Sequence, residues 1–337
     1  MQNHTWEVVD LPPGNKPLGC KWIFKKKLKA DGSIDKYKAR LVVKGYKQKE
    51  DVDFFDTYSP VTRITSIRML LAIAAVKGLE VHQMDVKTAF LNGELEEEIY
   101  MEQPEGFIAP GQEKKVCRLI KSLYGLKQAP KQWHEKFDSV MLSNGFRINE
   151  SDKCVYVKDT HKGYVIVCLY VDDMLIMGNN NDIINSTKWM LTRSFDMKDM
   201  GLADVILGIK ISRTSDGLIL SQSHYVEKIL DRFKEYNINP AKTPLEVNIH
   251  LMKNTGASFS QLEYSRIIGS IMYLMNCTRP DIANAVNRLS RYTSNPNREH
   301  WKAIIRVLGY LNHTKNFGLH YKRYPAVVEG YINANWI

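Results

Sequence analysis

Hydrophobic positions along this chain follow two rhythms, one continuous and one spaced by three and four. From Gly163 to Gly178, β-branched, aromatic and aliphatic residues run on both sides of Asp172-Asp173, which predicts two buried strands joined by a tight turn carrying two acids. Cys20 to Lys29 and Ile34 to Gly45 read as a hairpin turning at Ala30-Asp31-Gly32-Ser33. Glu80 to Phe90 reads as a strand with Asp85 in its far half, and Leu202 to Ile211 as another. Apolar residues Ile64, Ile67, Leu70, Leu71, Ala74 and Ala75 recur at helical spacing, which predicts a helix over 64–76 stopped by Gly78. Further helices are expected over 131–144, 183–195, 221–233, 263–277, 280–292 and 298–311. Between Asn239 and Ser260 the periodicity fades and Pro, Asn, Thr and Gly accumulate, which marks a boundary. Phe317 to Tyr321 and Val327 to Ile337 read as strands with no partner to close a sheet.

With 44% hydrophobic and 25% charged residues in 337, the chain has the composition of a folded protein of two or three domains. A net charge of +10 speaks about partners rather than fold, and favours a polyanion such as nucleic acid. Much of that charge sits on the hairpin, in Lys21, Lys25, Lys26, Lys27, Lys29, Lys36, Lys38, Arg40 and Lys44. Such a face either meets phosphates or protects a sheet edge from aggregation, and composition leaves both open. Five dispersed cysteines without a C-x-x-C pair argue against a disulfide framework and a zinc site, and fit reduced intracellular thiols. Neither a signal peptide nor a run of about 18 apolar residues is present, so no membrane partner is expected.

Two adjacent carboxylates between apolar strands, with no Lys or Arg in the segment, are costly unless something neutralises them. Oxygen ligands of this kind suit Mg²⁺ or Mn²⁺. The alternative for Asp172-Asp173 is a plain surface turn, and for Asp85 a helix cap or turn former. If one sheet brought Asp85 beside Asp172, the carboxylates could serve two-metal phosphoryl transfer.

Three segments, in this order and spacing, carry a resemblance: Gln83-Met84-Asp85-Val86-Lys87-Thr88-Ala89-Phe90-Leu91-Asn92-Gly93, Ser122-Leu123-Tyr124-Gly125-Leu126-Lys127-Gln128-Ala129-Pro130 and Tyr170-Val171-Asp172-Asp173. Together they resemble the reverse transcriptase of copia-type LTR retrotransposons, and the likeness extends from Trp6 through Thr278-Arg279-Pro280-Asp281 to Trp336. It implies an α+β right-hand polymerase with fingers, palm and thumb over 1–240, a connection region over 241–325 and a truncated start of a ribonuclease H-like domain over 326–337. By the same resemblance Asp85, Asp172 and Asp173 are the catalytic acids and metal ligands, with the Val86 carbonyl as an additional ligand. Phe90 matches the steric gate against a ribose 2′-hydroxyl, Arg40 the residue that contacts the incoming triphosphate, Tyr124 and Gly125 the nucleotide pocket beside the sugar, and Leu207-Gly208-Ile209 the primer grip. The implied partners are an RNA template, a DNA primer and dNTPs, with Mg²⁺ or Mn²⁺ as cofactor. The implied location is intracellular, in a cytoplasmic virus-like particle for an active element.

One departure stands out. Where the family usually reads Tyr-Ser-Asp-Ala-Asp-Trp, this chain reads Tyr331-Ile332-Asn333-Ala334-Asn335-Trp336, with amides in place of both acids. Asn lacks the negative charge a hard cation requires, so hydrolysis of the RNA strand is not expected. By the same resemblance the chain begins where the polymerase begins, without protease or integrase, so it is expected to be a fragment of a larger polyprotein or a decayed genomic copy. An RNA-directed DNA polymerase is the leading expectation. A catalytically inactive relic that still binds nucleic acid is the alternative, and a generic metal phosphohydrolase leaves Tyr124-Gly125 and the basic hairpin unexplained.

Overall fold

A computed structural model describes residues 4–28, 34–246 and 249–324. The hairpin turn at 30–33, the strand expected over 327–337 and Asn333 and Asn335 lie outside the described residues. In chain order the first elements are β1 (Trp6–Val9), β2 (Cys20–Leu28), β3 (Ile34–Val43), α1 (Ile64–Lys77), β4 (Glu80–Val86), β5 (Tyr100–Met101), β6 (Val116–Leu119) and α2 (Ala129–Ser143). There follow β7 (Arg147–Asn149), β8 (Asp152–Thr160), β9 (Gly163–Tyr170), β10 (Asp173–Gly178), α3 (Asn181–Ser194), β11 (Met197–Leu202), β12 (Val205–Ile206), β13 (Ile209–Thr214) and β14 (Gly217–Ser221). The remainder is α4 (Ser223–Arg232), α5 (Gln261–Cys277), α6 (Ala283–Ser290), α7 (Arg298–His313) and β15 (Gly318–Lys322). Helices and sheets are mixed, as an α+β chain requires, and among the described residues no helix is long and apolar enough to cross a membrane.

The described residues form two compact units. The first contains those up to Thr62, His82–Ile176 and Asn180–Gly201. Its main sheet has six strands in the order β11-β4-β10-β9-β8-β7. Met84 and Val86 of β4 and Met174 and Ile176 of β10 enter one apolar core with Trp133 and Phe137 of α2 and Ile184 and Leu191 of α3. Side chains alternate across a strand, so Gln83, Asp85 and Asp173 fall on the face away from that core. The β2–β3 hairpin is a separate antiparallel pair with Cys20 opposite Val43.

The second unit holds Arg63–Val81, Met177–Asn179 and the described residues from Leu202 on. Here α4, α5, α6 and α7 share a core that includes Val226, Ile267, Ile271, Leu289, Ile304 and Leu308. Asn297 caps α7, its side chain accepting from the His300 amide at 2.9 Å while His300 Nδ1 accepts from the Asn297 amide at 3.0 Å.

Several boundaries differ from the sequence expectation for identifiable reasons. β4 ends at Val86 rather than Phe90, because Thr88 turns left-handed (φ 53°) and Ala89–Asn92 winds into a short 3₁₀ turn. α2 starts at Ala129, since Pro130 in the first turn lacks only an N–H that would be unpaired there in any case. The single strand expected over 202–211 is instead the end of β11, then β12 and β13, which pair through Leu207 and Gly208 at φ 49° and 69°. Two consecutive positive φ values are the mark of a tight hairpin turn. The strand at 317–321 does have a partner: β15 pairs antiparallel with β14, Leu319 opposite Leu220.

Phe137 packs edge-on to Tyr156 and against Trp133 and Phe195, with none of its surface exposed. Phe137→Ala is expected to lower stability by about 3–5 kcal/mol, read as a lower denaturant midpoint at unchanged slope in urea unfolding.

Candidate active site

The β9–β10 turn puts a β-branched residue in an unfavourable conformation. Val171 has φ 54°, which costs about 1–3 kcal/mol and persists only where neighbours impose it. Two contacts do so. The Trp133 indole donates to the Val171 carbonyl at 2.9 Å, and the Val86 amide donates to the Asp172 carbonyl at 2.8 Å. The second bond ties the turn to the end of β4, next to Asp85.

Asp85, Asp172 and Asp173 consequently line one cleft of about 800 Å³. Burial raises the pKa of Asp172, the charge of Asp85 raises it further, and Arg40 and Lys38 pull it back. Burial likewise raises Asp173, against a hydrogen bond from Gln83 Nε2 at 3.1 Å. Asp172 Oδ1 is closed off from solvent and accepts no hydrogen bond. A desolvated carboxylate oxygen without a donor, beside a second carboxylate, fits a hard divalent cation. Among the described residues no three His, Cys, Asp or Glu side chains are already gathered as a metal cluster.

The opposite wall is basic. Lys36, Tyr37, Lys38 and Arg40 of β3 line the same cleft. Lys25 stands directly across from Lys38 in the hairpin register, a like-charge pairing that destabilises the hairpin. The Arg40 guanidinium lies 5.3 Å from the centre of the Tyr124 ring, and its Nε is buried without a hydrogen-bond acceptor. Tyr124 lines the cleft and meets Phe90 edge-on at 5.1 Å between ring centres. Phe90 thus stands behind Tyr124 rather than among the lining residues.

Gly125 plays a part in the backbone. At φ 98° it crosses β3 so closely that a Cβ would lie 2.1 Å from the Val43 carbonyl oxygen, while the Val43 amide donates to the Tyr124 carbonyl at 2.8 Å. Leu207 and Gly208 belong to the second unit, where the Leu207 carbonyl accepts from the Tyr273 hydroxyl. Sequence reasoning did not find Gln83, which shares the Asp85 face two residues earlier, nor Trp133, whose indole reaches a turn 38 positions away.

The sequence profile of the family described as reverse transcriptase (RNA-dependent DNA polymerase) matches residues 3–247. Over 99% of its length the chain is 49% identical to the retrovirus-related Pol polyprotein from transposon TNT 1-94 of Nicotiana tabacum, covering 26% of that protein. It is 41% identical, again over 99% of its length, to the Pol polyprotein from transposon RE1 of Arabidopsis thaliana, covering 23% of it. The chain therefore spans about a quarter of the length of these curated relatives. A solved structure of a foamy viral protease-reverse transcriptase with double-stranded DNA aligns with 87% of this chain and 44% of its own at a TM-score of 0.44 and 15% identity.

Because the folded-state pKa of Asp172 is raised, the folded protein binds the extra proton, and stability falls as pH rises from the ordinary carboxylate range through the raised value. Without added metal, Asp172→Asn is therefore expected to melt higher than the native chain at neutral pH, with the gap closing in acid. Added Mg²⁺ should raise the melting temperature of the native chain only. Thermal unfolding across pH and Mg²⁺ measures both.

Proposed function

Since the chain belongs to the reverse transcriptase (RNA-dependent DNA polymerase) family, we propose that it extends a DNA primer on an RNA template by transferring a nucleotidyl group from a dNTP to the primer 3′-hydroxyl. The observation that carries this reading is the buried, unpartnered Asp172 oxygen beside Asp85, facing the basic wall of β3. Asp85, Asp172, Asp173 and the Val86 carbonyl would hold two divalent cations. When bound, these activate the primer hydroxyl and neutralise charge on the leaving pyrophosphate.

The remaining roles belong to the chain's own side chains. Arg40 and Lys38 hold the triphosphate opposite the acids, Arg40 through the fork of donors that suits phosphate oxygens. Tyr124 shapes the sugar side of the cleft. Phe90, pressed on the Tyr124 ring, sets how much room a 2′-substituent finds. The Leu207-Gly208 turn grips the primer. On this reading residues 1–240 supply fingers, palm and thumb and 241–325 the connection. Asn333 and Asn335 leave the chain without ribonuclease H chemistry. The same two amides support a second reading, an inactive relic that retains nucleic-acid binding.

Purified chain is expected to extend a DNA primer on an RNA template with Mg²⁺ or Mn²⁺, and Asp172→Asn to lose about 10³-fold or more of that rate, several kcal/mol of transition-state stabilisation. Salt-sensitive binding of the same template and primer without extension would select the relic. Phe90→Ala is expected to extend with ribonucleotides where the native chain rejects them, as measured by single-nucleotide incorporation of dNTP against rNTP.

A further inference from the structure

The β2–β3 hairpin that carries the basic wall is a sheet of two strands, an arrangement only marginally stable by itself. The place of Arg40 therefore depends on what fastens the chain as it leaves β3 at Val43. Beyond Val43 the chain turns through Gly45–Lys47 and buries Gln48, 5% exposed, against Gln128, which is fully buried at the start of α2.

The Lys127 amide donates to Gln48 Oε1 at 2.8 Å. A backbone N–H can only donate, so this bond fixes which end of the Gln48 amide is oxygen and leaves its nitrogen facing Gln128. Gln48 Nε2 donates to Gln128 Oε1 at 3.0 Å, and Gln128 Nε2 donates to the Asp53 carbonyl at 2.9 Å. Inverting either amide would set donor against donor, so the bridge has a single arrangement. Each side-chain oxygen and nitrogen is already engaged, which suits the pair to fixing a position rather than to holding a ligand.

What the bridge fixes is the distance between two walls of the cleft. Gln128 belongs to the loop that carries Tyr124, and Gln48 follows the strand that carries Arg40, both of which line the cleft. Little slack separates bridge and walls: the Val43 amide donates to the Tyr124 carbonyl at 2.8 Å, and Gly45 and Gly125 approach too closely to admit a Cβ. Hydrogen bonds between buried amides are directional, and breaking one strands a polar group away from water.

We infer that Gln48 and Gln128 are positioning residues for nucleotide binding, their bridge setting Arg40 against Tyr124. The inference rests on the polymerase reading, which gives the triphosphate to Arg40 and the sugar to Tyr124. Neither glutamine is among the residues that line the cleft, so both act through those two side chains. The competing account is a structural tie whose loss lowers stability and nothing else.

The test compares the full native chain with Q48M, Q128M and the double variant, since methionine keeps the reach of glutamine and removes its donor and acceptor. Thermal unfolding is followed without ligand and with added dNTP, Mg²⁺ and template–primer, and primer extension is measured per active site. Each single variant is expected to raise the apparent KM for dNTP about 10-fold, with kcat within about twofold of native and template–primer affinity unchanged. The rise in melting temperature given by dNTP should shrink in parallel. The double variant should match the worse single variant, because both break one bridge. Should Q128M fail to fold, Q48M, outside the helices, carries the test. Folded variants that melt lower yet keep the native KM and the native response to dNTP would overturn the positioning role and leave the polymerase reading intact. A native chain that neither extends the primer nor responds to dNTP would overturn both.

Discussion

A carboxylate held where it has no partner sets the terms for the first unit. Asp172 is desolvated, repelled by Asp85 and left with one oxygen that accepts nothing, and each of these costs stability. Three devices keep it there regardless. The Val86 amide and the Trp133 indole clamp the turn, and Val171 accepts a left-handed conformation that its branched side chain disfavours. All three depend on strand order. Only because β4 lies next to β10, with their apolar residues turned to α2 and α3, do Asp85 and Asp173 emerge together on the opposite face.

The basic wall is positioned by a different kind of contact, backbone against backbone. Gly125 and Gly45 meet so closely that a Cβ on Gly45 would lie 1.9 Å from the Gly125 carbonyl oxygen. That approach lays the Tyr124 loop on β3 and brings the Tyr124 ring under Arg40, with Phe90 behind it. Acids opposite cations, with an open cleft between, is an arrangement that neither side completes by itself. A cation would neutralise the floor and a polyphosphate the wall, and a metal-bound nucleotide brings both.

Much of this was legible in the order of residues. The apolar runs around Asp172-Asp173 became β9 and β10, the helical spacing from Ile64 became α1 with Gly78 left-handed at its end, and the lysine-rich hairpin formed as expected. What escaped has physical causes. β7 and β8 were not anticipated, since Arg147, Lys153, Lys158 and Asp159 interrupt their apolar pattern and the strands form by pairing with β9 and one another. The break at Leu207-Gly208 was hidden because Leu carries no turn preference of its own. The partner of β15 lies about a hundred residues upstream in β14, a distance over which local pattern carries no information.

The sequence by itself determined the local facts: which segments prefer strand or helix, that three acids of the polymerase motifs are present, and that the chain carries an excess of positive charge. Periodicity and residue chemistry act over a few positions, so they can be read directly. Only the tertiary structure decided which acids share a cleft, that Gly125 contacts the chain's own backbone, and that Trp133 and Gln83 support the site. Each of these joins residues far apart in sequence, and such contacts follow from how sheets and helices pack, which no short stretch of residues encodes alone.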